Sequence, residues 1–191
     1  MHILTAPNPV LRMKAEPIAP DELDTLRSVA SQMAELMYRS QGCGLAAPQI
    51  GLSKRLVVVD TEYGPKPANE DGSTPPETPK NPVFFINPQI RRLWGEKVSG
   101  DEGCLSIPGI QIPIERYSGI EVEALDLDGE PFVVQAEGFA ARALQHELDH
   151  LEGTTMFEHL DPIGRIQYLR EYEAALAAGA KPGDVKSPSD A

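Results

Sequence analysis

The chain has 191 residues, 41% of them hydrophobic, a formal net charge of −12 at pH 7 and only two cysteines. This length supports one domain with a substantial core, which we place at residues 1–180, and two cysteines are too few for a secreted disulfide framework, so we expect a cytoplasmic protein. The dispersed negative charge argues against direct nucleic-acid binding, and no apolar run approaches the ~18 residues of a membrane span, so we expect no membrane contact.

The N-terminal half predicts one helix followed by two strands. From Asp21 to about Arg39, apolar residues recur at the spacing of an amphipathic helix. The apolar runs at 56–59 and 84–86 predict buried strands. Between these runs, residues 61–82 are rich in proline, glycine and charged residues and predict a long exposed loop.

The C-terminal half predicts a hairpin and two more helices. Residues 120–134 alternate in polarity around an Asp128-Gly129 turn, which indicates antiparallel strands. Residues 139–151 have helical spacing, a last helix covers about 162–178, and residues 181–191 predict a disordered tail. The expected fold is therefore α+β, with antiparallel β-sheets packed around a central helix, an N-terminal helix and a C-terminal helix.

The central helix carries the HExxH sequence His146-Glu147-Leu148-Asp149-His150. Histidines four residues apart lie on one face of a helix, where both imidazoles reach a single metal ion, and Glu147 stands beside them. A chance match in a chain of this length is on the order of 1%. The motif therefore predicts two ligands of a metal site, and a third ligand must come from elsewhere.

Two other segments suit the same site. In residues 102–106, Cys104 lies between a glycine and a short apolar stretch, which suits a ligand and exposes the backbone N–H that follows it. The alternative for Cys104 is a buried apolar thiol. Residues 42–49 are rich in glycine and alanine and end at Gln49, so their backbone can approach another group closely. The alternative there is an ordinary loop.

Together, the segments at 42–49, 102–106 and 145–151 resemble the three signature motifs of peptide deformylase, in that family's order. The resemblance extends from residues 7–12 to about Gly153. Two departures lie outside the catalytic positions: Cys43 stands where the family more often has Val or Ile, and the loop at 61–82 is longer than in the shortest members. These departures concern the shape of the cavity and the loop, and they leave the reaction unchanged.

The resemblance implies a single catalytic domain that hydrolyses the formyl group from N-formylmethionyl nascent polypeptides and releases formate. It assigns Cys104, His146 and His150 as ligands of Fe²⁺, which Zn²⁺, Ni²⁺ or Co²⁺ can replace. It assigns proton transfer to Glu147 and stabilisation of the carbonyl oxygen to the Gln49 side chain and the Leu105 backbone N–H.

The resemblance also implies a substrate cavity and a partner. Its expected lining residues are Cys43, Gly44, Glu102, Gly103 and Phe139. Cys43 and Phe139 are candidates for the methionine pocket, and plain core packing is their alternative. Action on nascent chains implies a transient ribosome contact, which the sequence of the last helix does not itself predict.

Three other functions share parts of this pattern. A zinc endopeptidase shares the helix motif but needs a downstream His or Glu ligand in a recognisable motif. A catalytically silent metal-binding or ribosome-docking module would keep the fold without needing Glu147 or Gln49. A redox copper centre shares the His₂Cys set, but its ligands are not expected four residues apart on a helix beside a carboxylate.

Overall fold

The computed structural model describes residues 1–63 and 78–184. Their main elements, in chain order, are α1 (Leu23–Arg39), β1 (Gly44–Ala46), β2 (Leu56–Val59), β3 (Val83–Cys104), β4 (Ile107–Leu125), β5 (Pro131–Glu137), α2 (Gly138–Leu151) and α3 (Pro162–Ala177). Short 3-10 turns cover Pro9–Arg12, Pro20–Glu22, Ala47–Ile50 and Met156–His159. The predicted α+β fold, with an N-terminal helix, a C-terminal helix and an HExxH helix between them, is confirmed.

The strands form a five-stranded antiparallel sheet in the order β1-β2-β3-β4-β5. Each strand pairs with the next one along the chain, so the sheet is a meander built from sequential hairpins. The long β3–β4 hairpin has four register shifts and closes at the pair Cys104↔Ile107. Such shifts bend and twist a ladder. The hairpin end therefore carries Cys104 to the site described below.

β3 and β4 are much longer than the apolar runs predict. β3 spans 22 residues, yet most of its outer half, including Arg91, Arg92 and Glu96, is exposed or half-buried. A strand whose two faces both meet solvent shows no alternation of apolar and polar residues. Its strand character depends on pairing with β4, which sequence periodicity does not reveal.

The two faces of β2 explain where α1 and α2 lie. All four β2 residues are buried. Val58 packs in the cluster that holds Met33 and Met37 of α1, whereas Val57 packs in the cluster that holds Leu148 of α2. Because successive strand residues point to opposite faces, α1 and α2 cover opposite sides of the sheet.

One face of α2 packs against the sheet, and another carries His146 and His150. Its small and apolar residues Ala141, Leu144 and Leu148 pack against the sheet. His146 and His150 are also buried, at 9% and 2% exposure. Buried imidazoles need polar partners; His146 has one in Glu102, whereas the buried Nδ1 of His150 has no hydrogen-bond partner among the described residues.

α3 and the segments beside it complete a third cluster. Phe157 and Tyr172 pack with the isoleucines of β4, and the Tyr172 hydroxyl donates to the Ala6 carbonyl over 2.9 Å. After α3 the chain makes a turn at residues 181–184. Most of the predicted loop at 61–82 and the tail beyond residue 184 lie outside the described residues. Among the helices of those residues, none combines the length and apolar content of a bilayer span.

Candidate metal centre

Cys104, His146 and His150 converge at the junction of the β3–β4 hairpin and α2. The Cys104 Sγ lies 3.3 Å from the His150 Nε2. One ligand atom from each of the three residues lies within 4.8 Å of the other two. All three side chains are buried. One sulfur and two ring nitrogens, from positions far apart in the sequence, therefore meet in one small volume.

The charge on Cys104 is set by its neighbours. Burial opposes ionisation of the thiol, but the adjacent rings of His150 and His146 outweigh it and lower the pKa of Cys104 to about 5. Burial likewise opposes protonation of His146, while hydrogen bonds to Cys104 and Glu102 outweigh it and raise the pKa of His146 well above its usual value. The site favours a thiolate, the form in which cysteine binds metal.

Glu102 fixes the orientation of His146. Its Oε2 lies 2.9 Å from the His146 Nδ1. Arg116 donates to both Glu102 oxygens, over 2.9 and 3.0 Å, and Arg142 donates to Oε1 over 2.8 Å. Burial alone would raise the pKa of Glu102. The hydrogen bonds from His146 and Arg116 outweigh burial and lower the pKa to about 2. Ionised Glu102 therefore accepts a hydrogen bond from the His146 Nδ1–H and leaves Nε2 of the ring free to act as a ligand atom.

The ion pairs continue away from the ligands. Arg116 also donates to Asp149 over 2.6 Å, and Asp149 lies 2.7 Å from His159. Arg142 donates to the backbone carbonyls of Gly100 and Ile114. Arg116 and Arg142 were not predicted from the sequence. A lone arginine in a strand or helix carries no motif, and only the fold reveals what it contacts.

Glu147 differs from its charged neighbours because one of its oxygens is unpaired. Its Oε2 is buried and has no hydrogen-bond partner among the described residues. Burial raises the pKa of Glu147 to about 7, against the opposing effect of His146 and His150. A Cβ on Gly44 would lie 2.7 Å from the Glu147 Cγ and Cδ, so only glycine fits there. The backbone of β1 thereby closes one side of the carboxylate.

Gln49 is held with its amide nitrogen toward the site. The backbone N–H of Ala46 donates to Gln49 Oε1 over 2.8 Å. The Gln49 Nε2 lies 3.6 Å from the Cys104 Sγ and 3.2 Å from the Ser106 Oγ. The side chain is 1% exposed. Because the oxygen is already bonded, the donor end faces the ligands.

These groups border a cavity of about 230 Å³. Every residue predicted for the site lines it except His150, whose Nε2 contacts Cys104 instead. Phe139 is 61% exposed, whereas Glu102 is 5% exposed and engaged in ion pairs. Gly42, the first residue of the 42–49 segment, also lines the cavity. Further lining residues, which the motifs did not indicate, are Ser40, Gln41, Asp101, Gln111, Arg142, Ala143, Gly183 and Asp184.

The ligand set fits a divalent transition metal. A thiolate and two imidazoles are ligands that Zn²⁺ and similar ions prefer, and three protein ligands leave a position open for chemistry. Glu102 supplies the carboxylate that commonly supports a ligand histidine. Together with the buried Glu147 oxygen that has no partner among the described residues, these features make the three residues a candidate catalytic metal site.

Comparison with known proteins gives the same family throughout. Residues 1–165 match the family model described as polypeptide deformylase. A peptide deformylase of Cellvibrio japonicus is 39% identical over 179 residues, covering 94% of this chain and 97% of that protein. A peptide deformylase of Picosynechococcus sp. is 41% identical over 153 residues, covering 80% and 74%.

Solved structures agree with the sequence relatives. A peptide deformylase from Legionella pneumophila is 35% identical with a TM-score of 0.78, covering 93% of this chain and 96% of that one. One from Synechococcus elongatus, in complex with actinonin, is 34% identical with a TM-score of 0.76, covering 90% and 85%. The chain belongs to the polypeptide deformylase family, metal-dependent hydrolases that remove the N-formyl group from nascent peptides.

Proposed function

We propose that this chain deformylates nascent peptides at a centre where Cys104, His146 and His150 hold Fe²⁺. The observation that carries the proposal is the convergence of one sulfur and two ring nitrogens beside a buried carboxylate oxygen that has no partner in the described part of the chain. Zn²⁺, Ni²⁺ or Co²⁺ suits the same donors. When bound, the ion supplies a Lewis acid, which polarises a carbonyl group and makes water easier to deprotonate near neutral pH.

We assign the proton transfer to Glu147. Its Oε2 takes a proton from the water that attacks the formyl carbon. As the carbon–nitrogen bond breaks, the same oxygen delivers that proton to the leaving nitrogen. The products are formate and a peptide with a free N-terminal methionine. The assignment is supported by the buried position of Glu147 between the two histidines and by its unpaired oxygen.

We assign stabilisation of the carbonyl oxygen to Gln49 and Leu105. The Gln49 amide nitrogen is preorganised because Ala46 N–H already bonds its oxygen. Leu105 follows Cys104 directly and lines the same cavity, so its backbone N–H is the second donor. Donors of this kind typically contribute roughly 3 to 4 kcal/mol each to the transition state.

The substrate contacts follow from the cavity lining. A formyl group carries hydrogen where an acetyl group carries a methyl, so a close wall at Gly44 admits the first and rejects the second. Cys43 and Phe139 line the cavity and are assigned to the methionine side chain, with Gly103 beside the peptide. Glu102 borders the same cavity, but its ion pairs support a positioning role.

A formate-release assay on protein purified without oxygen, paired with metal analysis, tests this function. A formyl-methionyl peptide is expected to release formate in proportion to the bound metal. An acetyl-methionyl peptide and an internal peptide bond should remain intact. Cleavage of the internal bond without formate release would support an endopeptidase and contradict the proposal.

The choice of iron has its own test. A thiolate site binds Zn²⁺ more tightly than Fe²⁺, so iron occupancy depends on preparation. We expect an iron-loaded sample to lose activity during storage in air, through oxidation of iron or of Cys104. A zinc-loaded sample is the control for oxidation of the thiol alone. Unchanged turnover of the iron-loaded sample would contradict this expectation.

We also propose that the chain acts in the cytoplasm and contacts the ribosome transiently. α3 presents two exposed isoleucines, Ile163 at 79% and Ile166 at 56% exposure, on either side of Arg165. Sedimentation of the full chain with ribosomes tests the contact, and Ile163→Ser is expected to weaken it. Equal sedimentation of the unaltered protein and the Ile163→Ser variant with ribosomes would show that this face of α3 does not contribute to ribosome binding.

A further inference from the structure

The segment that follows α3 returns to the catalytic cavity. We define residues 180–184 as the C-terminal strap. Two of its residues, Gly183 and Asp184, line the same cavity as His146 and Glu147. The strap is separated from both histidines by the whole of α3 in the sequence. No motif of the chain therefore indicates that it borders the site.

The strap is hydrogen-bonded to β4. The Gly109 N–H donates to the Asp184 carbonyl over 2.7 Å. Gly109 has φ +82, and a Cβ there would lie 2.8 Å from the Cβ atoms of Ala175 and Ala180. Both the backbone conformation and the close approach of α3 and the strap therefore require glycine at this position.

The other contact is with the end of α1. Gly183 has φ +101, and a Cβ there would lie 2.9 Å from the Ser40 carbonyl oxygen. The turn is closed by the Asp184 carboxylate, which accepts from the Lys181 N–H over 2.7 Å. The Asp184 N–H donates back to the Lys181 carbonyl over 2.9 Å. The strap thus joins β4 to the end of α1 and forms one wall of the cavity.

The exposure of the lining residues shows that the cavity has a buried end and an exposed end. Cys104, His146 and Glu147 are buried, whereas Gln41, Asp101 and Asp184 are exposed. When the formyl group of a substrate lies at the buried end, the rest of the peptide must extend out through the exposed end. Residues beyond the first methionine therefore extend toward the exposed end, which the strap borders at Asp184.

We propose that the C-terminal strap is a specificity-determining wall that contacts the second and third residues of the formylated peptide. This inference rests on the proposed function, because it takes the formyl group to lie at Glu147. Among the described residues, none of the strap's hydrogen bonds goes to Cys104, His146, His150 or Glu147. Its contribution therefore belongs to binding of the longer substrate and affects KM rather than kcat.

Gly183→Ala tests the wall by pushing the strap away from Ser40. With a formyl-methionyl tripeptide, we expect KM to rise roughly fivefold, the factor of one lost ordinary contact, at unchanged kcat. With formyl-methionine amide, which ends before the strap, both constants should stay within about twofold of the unaltered protein. Gly179→Ala is the matched control, because Gly179 also has a positive φ, +92, but its Cβ would meet nothing within 4 Å.

A second pair of variants separates the effect of the hydrogen bond that closes the turn from the effect of the charge on Asp184. Asp184→Ala removes the acceptor of the Lys181 N–H and should raise KM for the tripeptide as Gly183→Ala does. Asp184→Asn keeps an acceptor oxygen and should restore the value of the unaltered protein. Equal changes with both substrates, or no change with either, would overturn the proposal even though the unaltered protein deformylates both.

Photo-crosslinking gives a readout that does not depend on turnover. A formyl-methionyl peptide with benzoylphenylalanine at its third position is irradiated with the full-length, metal-loaded Glu147→Gln variant, and the label is mapped by mass spectrometry. We expect label on residues 180–184 and on the segment around Ser40. Label confined to other surfaces, or none, would reject the wall. Absence of formate release by the unaltered protein would instead reject the proposed function.

Discussion

Two buried glutamates beside the same histidine have opposite surroundings. Both oxygens of Glu102 are hydrogen-bonded, by His146 and two arginines, and its pKa is lowered to about 2. Glu147 is equally buried, at 5% exposure, but its Oε2 lacks a partner among the described residues and its pKa is raised to about 7. The backbone of Gly44 closes one side of Glu147.

This difference indicates separate roles: Glu102 positions the residues of the site, whereas Glu147 takes part in the reaction. A carboxylate with all its hydrogen bonds made is fixed in charge and position, and removing it takes a buried charged partner from Arg116 and Arg142. A carboxylate with an open oxygen is costly to bury, and that cost is characteristic of functional sites. The following variants test this division, in order of decreasing expected effect.

Glu147→Gln should have the largest effect on activity. Loss of the proton carrier is expected to lower kcat by about 10³-fold. The free energy of unfolding should change by no more than about 1 kcal/mol, because the substitution breaks no network of ion pairs. Formate release and denaturant unfolding measure the two quantities, and metal content serves as the control. A variant with full activity would remove Glu147 from the reaction.

Glu102→Gln should act on the metal and on stability together. The neutral amide cannot balance Arg116 and Arg142, and it holds the His146 Nδ1 proton more weakly. We expect metal affinity to fall by about 10- to 100-fold and unfolding to cost a few kcal/mol less. Competition with a chelator measures the affinity. Glu123→Gln, at an exposed carboxylate paired with Arg91, is the matched control. Equal affinities in both variants would contradict the positioning role of Glu102.

Asp60 extends the comparison to a buried carboxylate that bonds none of the ligands. It accepts from the Tyr38 hydroxyl and from the backbone N–H groups of Glu62, Tyr63 and Asn81. It thus ties together the two described ends of the predicted loop. Asp60→Asn should lower the free energy of unfolding by roughly 1 to 3 kcal/mol and leave kcat within about twofold.

The effect of Asp60 should depend on pH. Burial opposes its ionisation, but the hydrogen bond from Tyr38 and those from the backbone outweigh it and lower the pKa of Asp60 below 3.8. The stability that its charge supplies is therefore fully present above pH 3.8 and is lost as pH falls through the folded-state pKa. Unfolding of both proteins at several pH values measures this. A stability difference that grows as pH falls would have the wrong sign.

Arg91→Ala should have the smallest effect. Arg91 donates to Glu123 over 2.8 Å, but their side chains are 48% and 41% exposed. Exposed ion pairs contribute little because water and salt screen them. We expect unchanged unfolding and unchanged formate release, in contrast to the buried Arg116 and half-buried Arg142 beside Glu102. A clear loss of stability would show that burial is not what separates the two networks.

Sequence patterns predicted the elements with a clear apolar signal and the residues that carry a motif. α1 and α2 were predicted because their apolar residues recur at helical spacing, β2 because it is a continuous apolar run, and His146, Glu147 and Cys104 because they stand in motifs. The outer half of β3 was missed because its two faces carry no alternating pattern.

The residues that support the site were also missed. Arg116 and Arg142 lie far from Glu102 in the sequence and meet it only through the pairing of β3 with β4 and the packing of α2. The C-terminal strap was predicted only as part of a tail, because its contacts with Gly109 and Ser40 are made by the backbone and by small residues. Contacts of this kind leave no periodic signal.

X-ray absorption at the metal edge of the iron-loaded protein identifies the atoms bound to the ion. We expect one ion per chain with one sulfur and two nitrogen ligands from the protein, and loss of the sulfur signal in Cys104→Ala. A metal shell without sulfur in the unaltered protein would contradict it, whatever the activity of the sample.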